Sequence, residues 1–161
     1  MMQTYLPETI KSAFTVFAAS MIPVLESKGA IILGAKLKLR WYLCWIVSST
    51  GSGMVAPFVL YMKAGKSKIT GYLAEKLRKT HPDVIAKLKK YGAPGLMFLI
   101  AVPFTGIGVW LGSFAARILR LEKRKAVIAI FAGNLIANLL MVLCVYGIIT
   151  GIRMWNFYVK F

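Results

Sequence analysis

Acidic residues, histidine and cysteine are scarce in this chain, and their scarcity excludes several classes of protein. Five Asp and Glu residues stand against 21 Lys and Arg in 161 residues, which gives a formal net charge of +16. One histidine and two cysteines provide no metal-ligand spacing and no disulfide framework. No glycine loop of the nucleotide-binding type precedes a Lys-Ser or Lys-Thr pair. The sequence therefore predicts that the protein is not an enzyme and that it needs no cofactor and no metal.

Charge is also missing from long stretches of the chain. Charged residues make up 16%, against about a quarter in a typical soluble domain, while hydrophobic residues reach 58% and the mean hydropathy is +0.69. Residues 41–62, 91–116 and 126–152 contain no charge, and each stretch exceeds the roughly 20 apolar residues that a bilayer-spanning helix needs. The whole chain, 1–161, is therefore predicted to be a single multi-pass membrane domain. Two cysteines lie in apolar stretches and are expected to be small core residues: Cys44 and Cys144.

The basic residues flank the apolar stretches and do not form a separate domain. This distribution excludes a nucleic-acid partner and is typical of cytoplasmic loops that face anionic lipid head groups. The connector at residues 63–90 has nine Lys or Arg against Glu75 and Asp83. Its apolar residues recur at helical spacing, and Pro82 is expected at the first position of a short helix. We therefore expect an amphipathic connector on the cytoplasmic surface, with His81 as an exposed loop residue.

Residues 91–116 contain two prolines and five glycines although they carry no charge. Basic clusters stand at both ends, so a single crossing would leave one cluster outside, against the usual bias of Lys and Arg. If the segment enters the membrane, turns at Pro103–Gly108 and leaves on the same side, residues 63–90 and 117–125 are both cytoplasmic. Such re-entrant backbone is tolerated where it is buried in protein or lines a water-filled cavity. We favour the re-entrant hairpin, and the alternative is one kinked helix.

The two halves of the chain share an order of features. Three pairs correspond at an offset of 80 residues, the last after a slip of two: Pro23 with Pro103, Leu39-Arg40 with Leu119-Arg120, and Gly51-Ser52 with Gly133-Asn134. We assign repeat 1 to about 13–62 and repeat 2 to about 91–152, each a re-entrant helical hairpin followed by a transmembrane helix. Because such a unit crosses the bilayer an odd number of times, the second must lie upside down. The predicted fold is an all-α polytopic membrane protein of two inverted repeats with an amphipathic cytoplasmic connector, an architecture typical of transporters.

Glu26 and Lys28 are the charges inside the broken apolar stretch 13–35. A charge at the bilayer centre costs about 2.5–3.5 kcal/mol on insertion scales, and such residues are usually paired and functional. Since residues two apart do not share a helix face, a direct pair needs the turn that Pro23 and Gly29 would supply. Our hypothesis is that Glu26 takes up a proton or helps to bind a cation, while Lys28 binds an anionic head group. The alternative is a structural ion pair.

The second break offers a complementary set of groups. The hydroxyl of Thr105 and the backbone N–H groups of Gly106 and Gly108, next to Pro103, would form an anion cradle at a helix start. The alternative is a flexible turn. In the membrane, these groups are expected to face Glu26 from the opposite side.

Two asparagines and two arginines complete the candidate set. Asn134 and Asn138 lie at i and i+4 on one side of the last helix, where they favour interhelical hydrogen bonds; contact with a polar substrate group is the alternative. Arg117 and Arg120 are candidates for a rim that grips lipid phosphates. The alternative for both arginines is snorkelling to the membrane interface.

Four motifs carry a resemblance to a known family: Pro23-Val-Leu-Glu-Ser-Lys-Gly-Ala-Ile, Gly51-Ser-Gly-Met-Val-Ala-Pro-Phe, Ala101-Val-Pro-Phe-Thr-Gly-Ile-Gly-Val-Trp and Gly133-Asn-Leu-Ile-Ala. Over about residues 20–140 the chain resembles the small multidrug export protein family, a prokaryotic branch related to the DedA/VTT superfamily of SNARE-associated Golgi proteins. The resemblance implies inverted repeats with re-entrant hairpins, a membrane glutamate at Glu26, and proton-coupled movement of lipids such as undecaprenyl phosphate. Lys28 stands where the family commonly has Arg, and Ala101–Gly108 lacks the arginines that DedA proteins carry there.

Three hypotheses for function follow. The first is a lipid or lipid-carrier translocase that moves polyprenyl phosphate or a phospholipid, with basic rims recruiting the phosphate and protonation of Glu26 gating release. The second is a small multidrug exporter of cationic compounds, in which Glu26 is the counter-charge. The third is a non-transporting membrane assembly or lipid-binding factor that uses the basic connector. The expected partners are membrane lipids and a coupling proton or cation, with a homodimer left open, and the expected location is the prokaryotic cytoplasmic (inner) membrane.

Overall fold

The computed structural model of the chain describes residues 5–23, 25–62, 75, 79, 82–103 and 107–158. The regular structure of this described part is helical and contains no strand, which confirms the predicted all-α class. Its helices, in chain order, are α1 (Tyr5–Met21), α2 (Glu26–Lys36), α3 (Trp41–Tyr61), α4 (Pro82–Ala101), α5 (Val109–Ile118) and α6 (Lys123–Tyr158).

Two of these helices are long and apolar enough to cross a membrane. Helix α3 has 21 residues and reaches a mean hydropathy of 1.5, and the Lys123–Ile152 part of α6 has 30 residues and reaches 2.3. Both exceed the roughly 20 residues that span the hydrocarbon core of a bilayer. The apolar stretches 41–62 and 126–152 therefore form continuous helices, as expected, and α6 continues beyond the predicted end to Tyr158.

The stretch 13–35 is divided between α1 and α2, which pack against each other. A Cβ atom at Gly34 would lie 3.2 Å from a methyl group of Val16. A residue nine positions before Leu25 thus lies beside a residue nine positions after it, which is the geometry of a helical hairpin. We call α1, α2 and the connection 22–25 the first hairpin.

The second hairpin contains most of residues 91–116 and consists of the part of α4 after Gly92, the connection 102–108 and α5. The two helices contact each other, and a Cβ atom at Gly112 would lie 2.6 Å from the Cδ1 atom of Ile100. Residues 104–106 of the connection lie outside the described residues. Because the helices fold back on each other, the alternative of one kinked helix is excluded. That either hairpin is re-entrant in a membrane stays a prediction.

Helix α4 consists of two parts that meet at Gly92, whose φ of 58° and ψ of −134° are not helical. Glycine alone adopts such angles without a steric penalty. Pro82 is the first residue of α4, which confirms the predicted helix start, since proline is favoured where the missing N–H needs no partner. The kink separates a basic part, which contains Lys89 and Lys90, from an uncharged part that belongs to the second hairpin.

Residues 5–12 belong to α1, although they include a proline and a glutamate. Pro7 does not stop this helix, because a proline in the first turn removes no hydrogen bond that the helix would make. Glu8 lies in the same turn, where a negative charge interacts favourably with the positive end of the helix dipole. The polar composition of these residues is thus typical of a helix start.

Both hairpins end in the same Schellman turn, in which an N–H group donates five residues back over 2.9 Å. The residue in the left-handed conformation is Lys38 in the first hairpin (φ 57°) and Arg120 in the second (φ 53°). These two residues are 82 positions apart. The same offset separates the end of α2 from the end of α5, and the start of α3 from the start of α6. The offset of 80 predicted for Leu39-Arg40 is therefore wrong by two residues. It holds for Pro23 and Pro103, so the slip falls after the prolines.

Glycines at equivalent positions let α3 and α6 approach a hairpin closely. A Cβ atom at Gly51 would lie 2.8 Å from the carbonyl oxygen of Phe17, and one at Gly133 would lie 2.5 Å from the carbonyl oxygen of Met97. Backbone oxygens cannot be moved aside by a change of rotamer, so both positions require glycine. The glycines are 82 positions apart and the carbonyls 80. The contact is therefore made once in each half of the chain.

Packing divides the described chain into two compact units, and both divisions fall inside a long helix. Unit 1 contains residues up to Gly51 and from Asn138 onward, and unit 2 contains residues 52–137. Each unit therefore contains one hairpin, one part of α3 and one part of α6. The core of unit 1 includes Val16, Ala30, Ile31, Leu39, Cys44 and Val142. The core of unit 2 includes Val59, Leu88, Leu96, Ile100, Ala115 and Ile130.

The two cysteines differ in their surroundings. Cys44 is buried, as expected of a small core residue, and its thiol donates to the carbonyl of Ile31 at 3.7 Å. Cys144 is exposed on α6. The prediction of a core position is therefore wrong for Cys144, whose side of α6 has no other part of its unit packed over it.

The basic connector lies mostly outside the described residues, and His81 lies outside them too. Glu75 and Lys79 are described, are helical, and form an exposed i,i+4 ion pair of 2.8 Å. The short amphipathic helix predicted before residue 81 and its cytoplasmic placement stay predictions.

Candidate functional site

An acidic residue in a strained backbone conformation directly follows the first connection. Glu26 is the first residue of α2 and has a φ of 46°, in the left-handed region that residues with a Cβ atom rarely adopt. Its N–H group donates to the carbonyl of Ile22 at 2.8 Å and so closes the connection around Pro23. Strain of this kind costs on the order of 1–3 kcal/mol and is concentrated at ligand sites and switches. The surrounding fold, and not local preference, therefore fixes this position.

Glu26 also differs from the other described acidic side chains in its burial. Glu8, Glu75 and Glu122 are exposed, whereas Glu26 is half-buried. Withdrawing a carboxylate from water among apolar residues is costly, so a carboxylate retained there needs a reason. Across the described ranges, no group of three or more His, Cys, Asp or Glu could hold a metal.

Lys28 lies two positions further along α2 and is half-buried as well. In the part of the chain that the structure describes, no ion pair joins Lys28 to Glu26. A positive charge in the first turn of a helix is unfavourable, because the helix dipole is positive at that end. Lys28 therefore does not stabilise α2. A Cβ atom at Gly29 would lie 3.1 Å from the Cδ2 atom of Leu25, so this glycine leaves room for the connection.

The second connection contains no charged residue. Gly108 is buried in an extended conformation and precedes α5 as its N-cap (φ −93°, ψ −165°), while Pro103 is half-buried in the turn after α4. Thr105 and Gly106, which complete the predicted anion cradle, lie outside the described residues. The cradle therefore stays a prediction, and so does the facing arrangement of Glu26 and this connection.

Asn134 and Asn138 are buried on α6, where 2% and 1% of their surfaces are exposed. In unit 2 the amide nitrogen of Asn134 donates to the hydroxyl of Ser52 at 2.9 Å, and in unit 1 Asn138 donates to Ser49 at 3.0 Å. These are the interhelical hydrogen bonds that we expected, and contact with a substrate stays a prediction. Sequence reasoning missed the serine partners, although Ser52 belongs to the Gly51-Ser52 pair that corresponds to Gly133-Asn134.

The two candidate rim arginines are placed differently. Arg117 is half-buried, and its guanidinium donates to the carbonyl of Val59 at 2.8 Å. That carbonyl belongs to the last turn of α3, where the helix itself provides no donor, so Arg117 caps α3. Arg120 is exposed in the Schellman turn. In unit 1 the hydroxyl of Tyr146 donates to the carbonyl of Leu39, between α2 and α3, at 2.6 Å; the sequence did not predict this contact.

Several basic side chains near helix ends contact tyrosine side chains. The Arg40 guanidinium lies 3.0 Å from the Tyr42 hydroxyl, and this hydrogen bond raises the pKa of Arg40. Two lysine ammonium groups lie 5.3 and 5.2 Å from tyrosine ring centroids: Lys90 over Tyr91 and Lys123 over Tyr61. Paired basic and aromatic residues of this kind are typical of a membrane interface.

Comparison with known families agrees with this set of features. Residues 26–140, more than two thirds of the chain, match the model of the family described as "Putative small multi-drug export protein". The chain belongs to this small multidrug export protein family. The family match begins at Glu26 and includes every candidate residue except Pro23. No curated protein and no solved structure matches this small multidrug export family member.

Proposed function

We propose that this small multidrug export family member is a membrane transporter that exports amphiphilic organic cations, with Glu26 as their counter-charge. The supporting observation is the position of Glu26, a half-buried carboxylate in a left-handed backbone at the break of the first hairpin. The family description and the two helices long enough to cross a bilayer agree with the proposal.

The chemistry of such a site follows from its low polarity. An organic cation that enters an apolar cavity loses its hydration, and a carboxylate in the same cavity compensates for that loss because opposite charges attract strongly there. A proton competes for the same carboxylate. Deprotonated Glu26 therefore binds the cation and protonated Glu26 releases it, which couples export to a proton gradient without a nucleotide. The proposal includes the inverted repeats, the inner-membrane location and the relationship with the DedA/VTT superfamily.

A second candidate is a lipid-carrier translocase, and Lys28 favours it. A half-buried ammonium group two positions from Glu26 would bind a phosphate head group, and the net charge of +16 would recruit anionic lipids. In this candidate, Lys28 holds the substrate and Glu26 gates its release.

Transport by the purified full chain in proteoliposomes tests both candidates. For the first, a pH gradient drives uptake of a fluorescent organic cation, and Glu26→Gln is expected to lower the initial rate at least tenfold, to the rate of empty liposomes. Glu8→Gln is the matched control, because Glu8 is an exposed glutamate of the same hairpin. It is expected to stay within about twofold of the wild type.

The second arm uses a labelled polyprenyl phosphate and a labelled phospholipid. Flipping of either lipid that is lost in Lys28→Gln, with no movement of the cation, would replace the first candidate by the second. If neither substrate moves faster than in empty liposomes, both transporter candidates are wrong and a non-transporting assembly or lipid-binding role takes their place.

A further inference from the structure

An open apolar groove of about 470 Å³ lies along α4 in unit 2. Its walls are two exposed rings, those of Tyr91 and Phe98, of which 56% and 67% are accessible. These residues are seven positions apart, and between them α4 presents only the small residues Pro94 and Gly95 to the groove. The groove therefore results from two bulky side chains on either side of two small ones.

One end of the groove overlaps the basic part of α4, where Leu88 lines it. Lys89 and Lys90 are exposed just before the kink at Gly92, and the ammonium group of Lys90 lies 5.3 Å from the centroid of the Tyr91 ring. From Tyr91 to Val102, at the other end of the groove, the chain carries no charge. One end of the groove is thus cationic, and the remainder is apolar.

The length of the groove matches one leaflet of a bilayer. The part of α4 between the kink at Gly92 and its end at Ala101 has nine residues and is about 12 Å long, while the hydrocarbon core of one leaflet is about 15 Å thick. A hydrocarbon chain that lies in the groove would therefore bring its head group to the level of Lys89 and Lys90. Tyrosine at this boundary is itself typical of the interface between head groups and acyl chains.

We infer that this groove binds one anionic phospholipid, with an acyl chain between the rings of Tyr91 and Phe98 and the phosphate at Lys89 and Lys90. The site is independent of Glu26 and does not rest on transport activity. A phosphate next to two lysines gains about 1 kcal/mol for each lysine near a membrane surface, which corresponds to about fivefold in affinity per lysine.

A second copy of the chain fits the same groove less well. In a symmetric dimer the same patch lies on both subunits, so the lysine pair of one copy would face the lysine pair of the other. Like charges brought together in this way oppose association. Glu122 follows the second hairpin, but it is already paired with Lys125 at 2.7 Å and does not offset the charge of the lysine pair. Charge complementarity therefore favours an anionic lipid.

Native mass spectrometry of the purified full chain in a neutral detergent tests the inference. The probes are phosphatidylglycerol and phosphatidylcholine of equal chain length, which differ in charge. The wild type is expected to retain one phosphatidylglycerol with at least tenfold preference. Lys89→Gln/Lys90→Gln is expected to remove that preference, whereas Lys11→Gln/Lys36→Gln, which removes two other exposed charges, is expected to keep it.

Filling the groove separates its shape from its charge. Gly95→Leu places a side chain between the two rings and is expected to abolish retention of both lipids, while Gly147→Leu, on an exposed part of α6, is expected to leave it unchanged.

The inference is overturned if the wild type does not discriminate between the lipids, or if Lys11→Gln/Lys36→Gln loses as much preference as Lys89→Gln/Lys90→Gln. It is also overturned if a dimer mass disappears in Gly95→Leu, because a second copy then covers the groove. Circular dichroism establishes that each variant is folded, and the lysine variants keep the test decisive if Gly95→Leu does not fold.

Discussion

The first and second hairpins have the same construction but different chemistry. Each consists of two packed helices separated by a connection with a proline two residues after the first helix, at Pro23 and Pro103. Each ends in a Schellman turn with a basic residue in the left-handed position, and each is approached by a glycine of a long helix. The charges are not repeated, since Glu26 and Lys28 have no charged counterparts in the second connection.

This difference teaches which residues are needed for folding and which are not. Features that occur in both halves serve packing and turn formation, because the same backbone needs them twice. A charge that occurs in one half and not in the other is not required by the shared backbone. Glu26 meets this condition, and it is therefore the residue that we propose for function.

The largest effect on stability is expected from the two glycines that contact backbone carbonyls. Gly51→Ala and Gly133→Ala each insert a methyl group against a carbonyl oxygen, at 2.8 Å and 2.5 Å, and overpacking of this kind costs about 1–3 kcal/mol. Gly147→Ala is the matched control, because nothing lies within 4 Å of its added Cβ atom. It is expected to be neutral or up to about 1 kcal/mol more stable. Thermal unfolding in detergent, followed by circular dichroism, measures all three.

An unequal result would weaken the comparison. If Gly51→Ala is tolerated while Gly133→Ala unfolds the protein, the glycine contact does not repeat between the halves. If Gly147→Ala is as damaging as the others, the effect comes from loss of glycine in general and not from the carbonyl contacts.

A smaller effect is expected from the buried asparagines. Asn134→Ala leaves the Ser52 hydroxyl without its 2.9 Å donor, and Asn138→Ala does the same to Ser49 at 3.0 Å. Hydrogen bonds between membrane helices contribute about 0.6–1.7 kcal/mol, and both variants are expected to lose stability in this range. Double-mutant cycles with Ser52→Ala and Ser49→Ala measure the coupling. A coupling energy near zero in both cycles, together with loss of transport in either asparagine variant, would assign the asparagines to a substrate instead.

The smallest effect is expected at the Schellman turns. Lys38→Gly and Arg120→Gly replace residues with φ near 55° by the residue that favours this conformation, and both are expected to raise the free energy of unfolding by about 1 kcal/mol. Lys36→Gly, in the last helical turn of α2, is expected to lower it by up to about 1 kcal/mol. Denaturant titration of the three variants measures the shifts. Opposite signs for Lys38→Gly and Arg120→Gly would show that the two turns are not equivalent.

The sequence predicted the helical class, the breaks and the start of α4 because these depend on local chemistry. A run of apolar residues, a proline at a helix start and a cluster of glycines each act over a few neighbouring positions. The register of the halves was wrong by two residues because the slip falls in a connection, where the pattern of apolar residues gives no register.

The candidate site was predictable in its residue types and not in its contacts. Glu26 stood out because a charge in an apolar stretch is rare, but its left-handed backbone follows from how α1 and α2 close on each other. The hydrogen bonds to the carbonyls of Val59 and Leu39 come from Arg117 and Tyr146, which are 58 and 107 positions away in the chain. Contacts at that separation arise from packing, and no local pattern signals them.

The most direct test of the central claim compares cation uptake driven by a pH gradient in three forms of the protein. Wild type, Glu26→Asp and Glu26→Gln are reconstituted at equal density, and the initial rate is measured against empty liposomes. If the unrepeated carboxylate carries transport, the Asp variant retains part of the wild-type rate and the Gln variant falls to the background. A Gln variant that transports at the wild-type rate and still responds to the pH gradient would contradict the account.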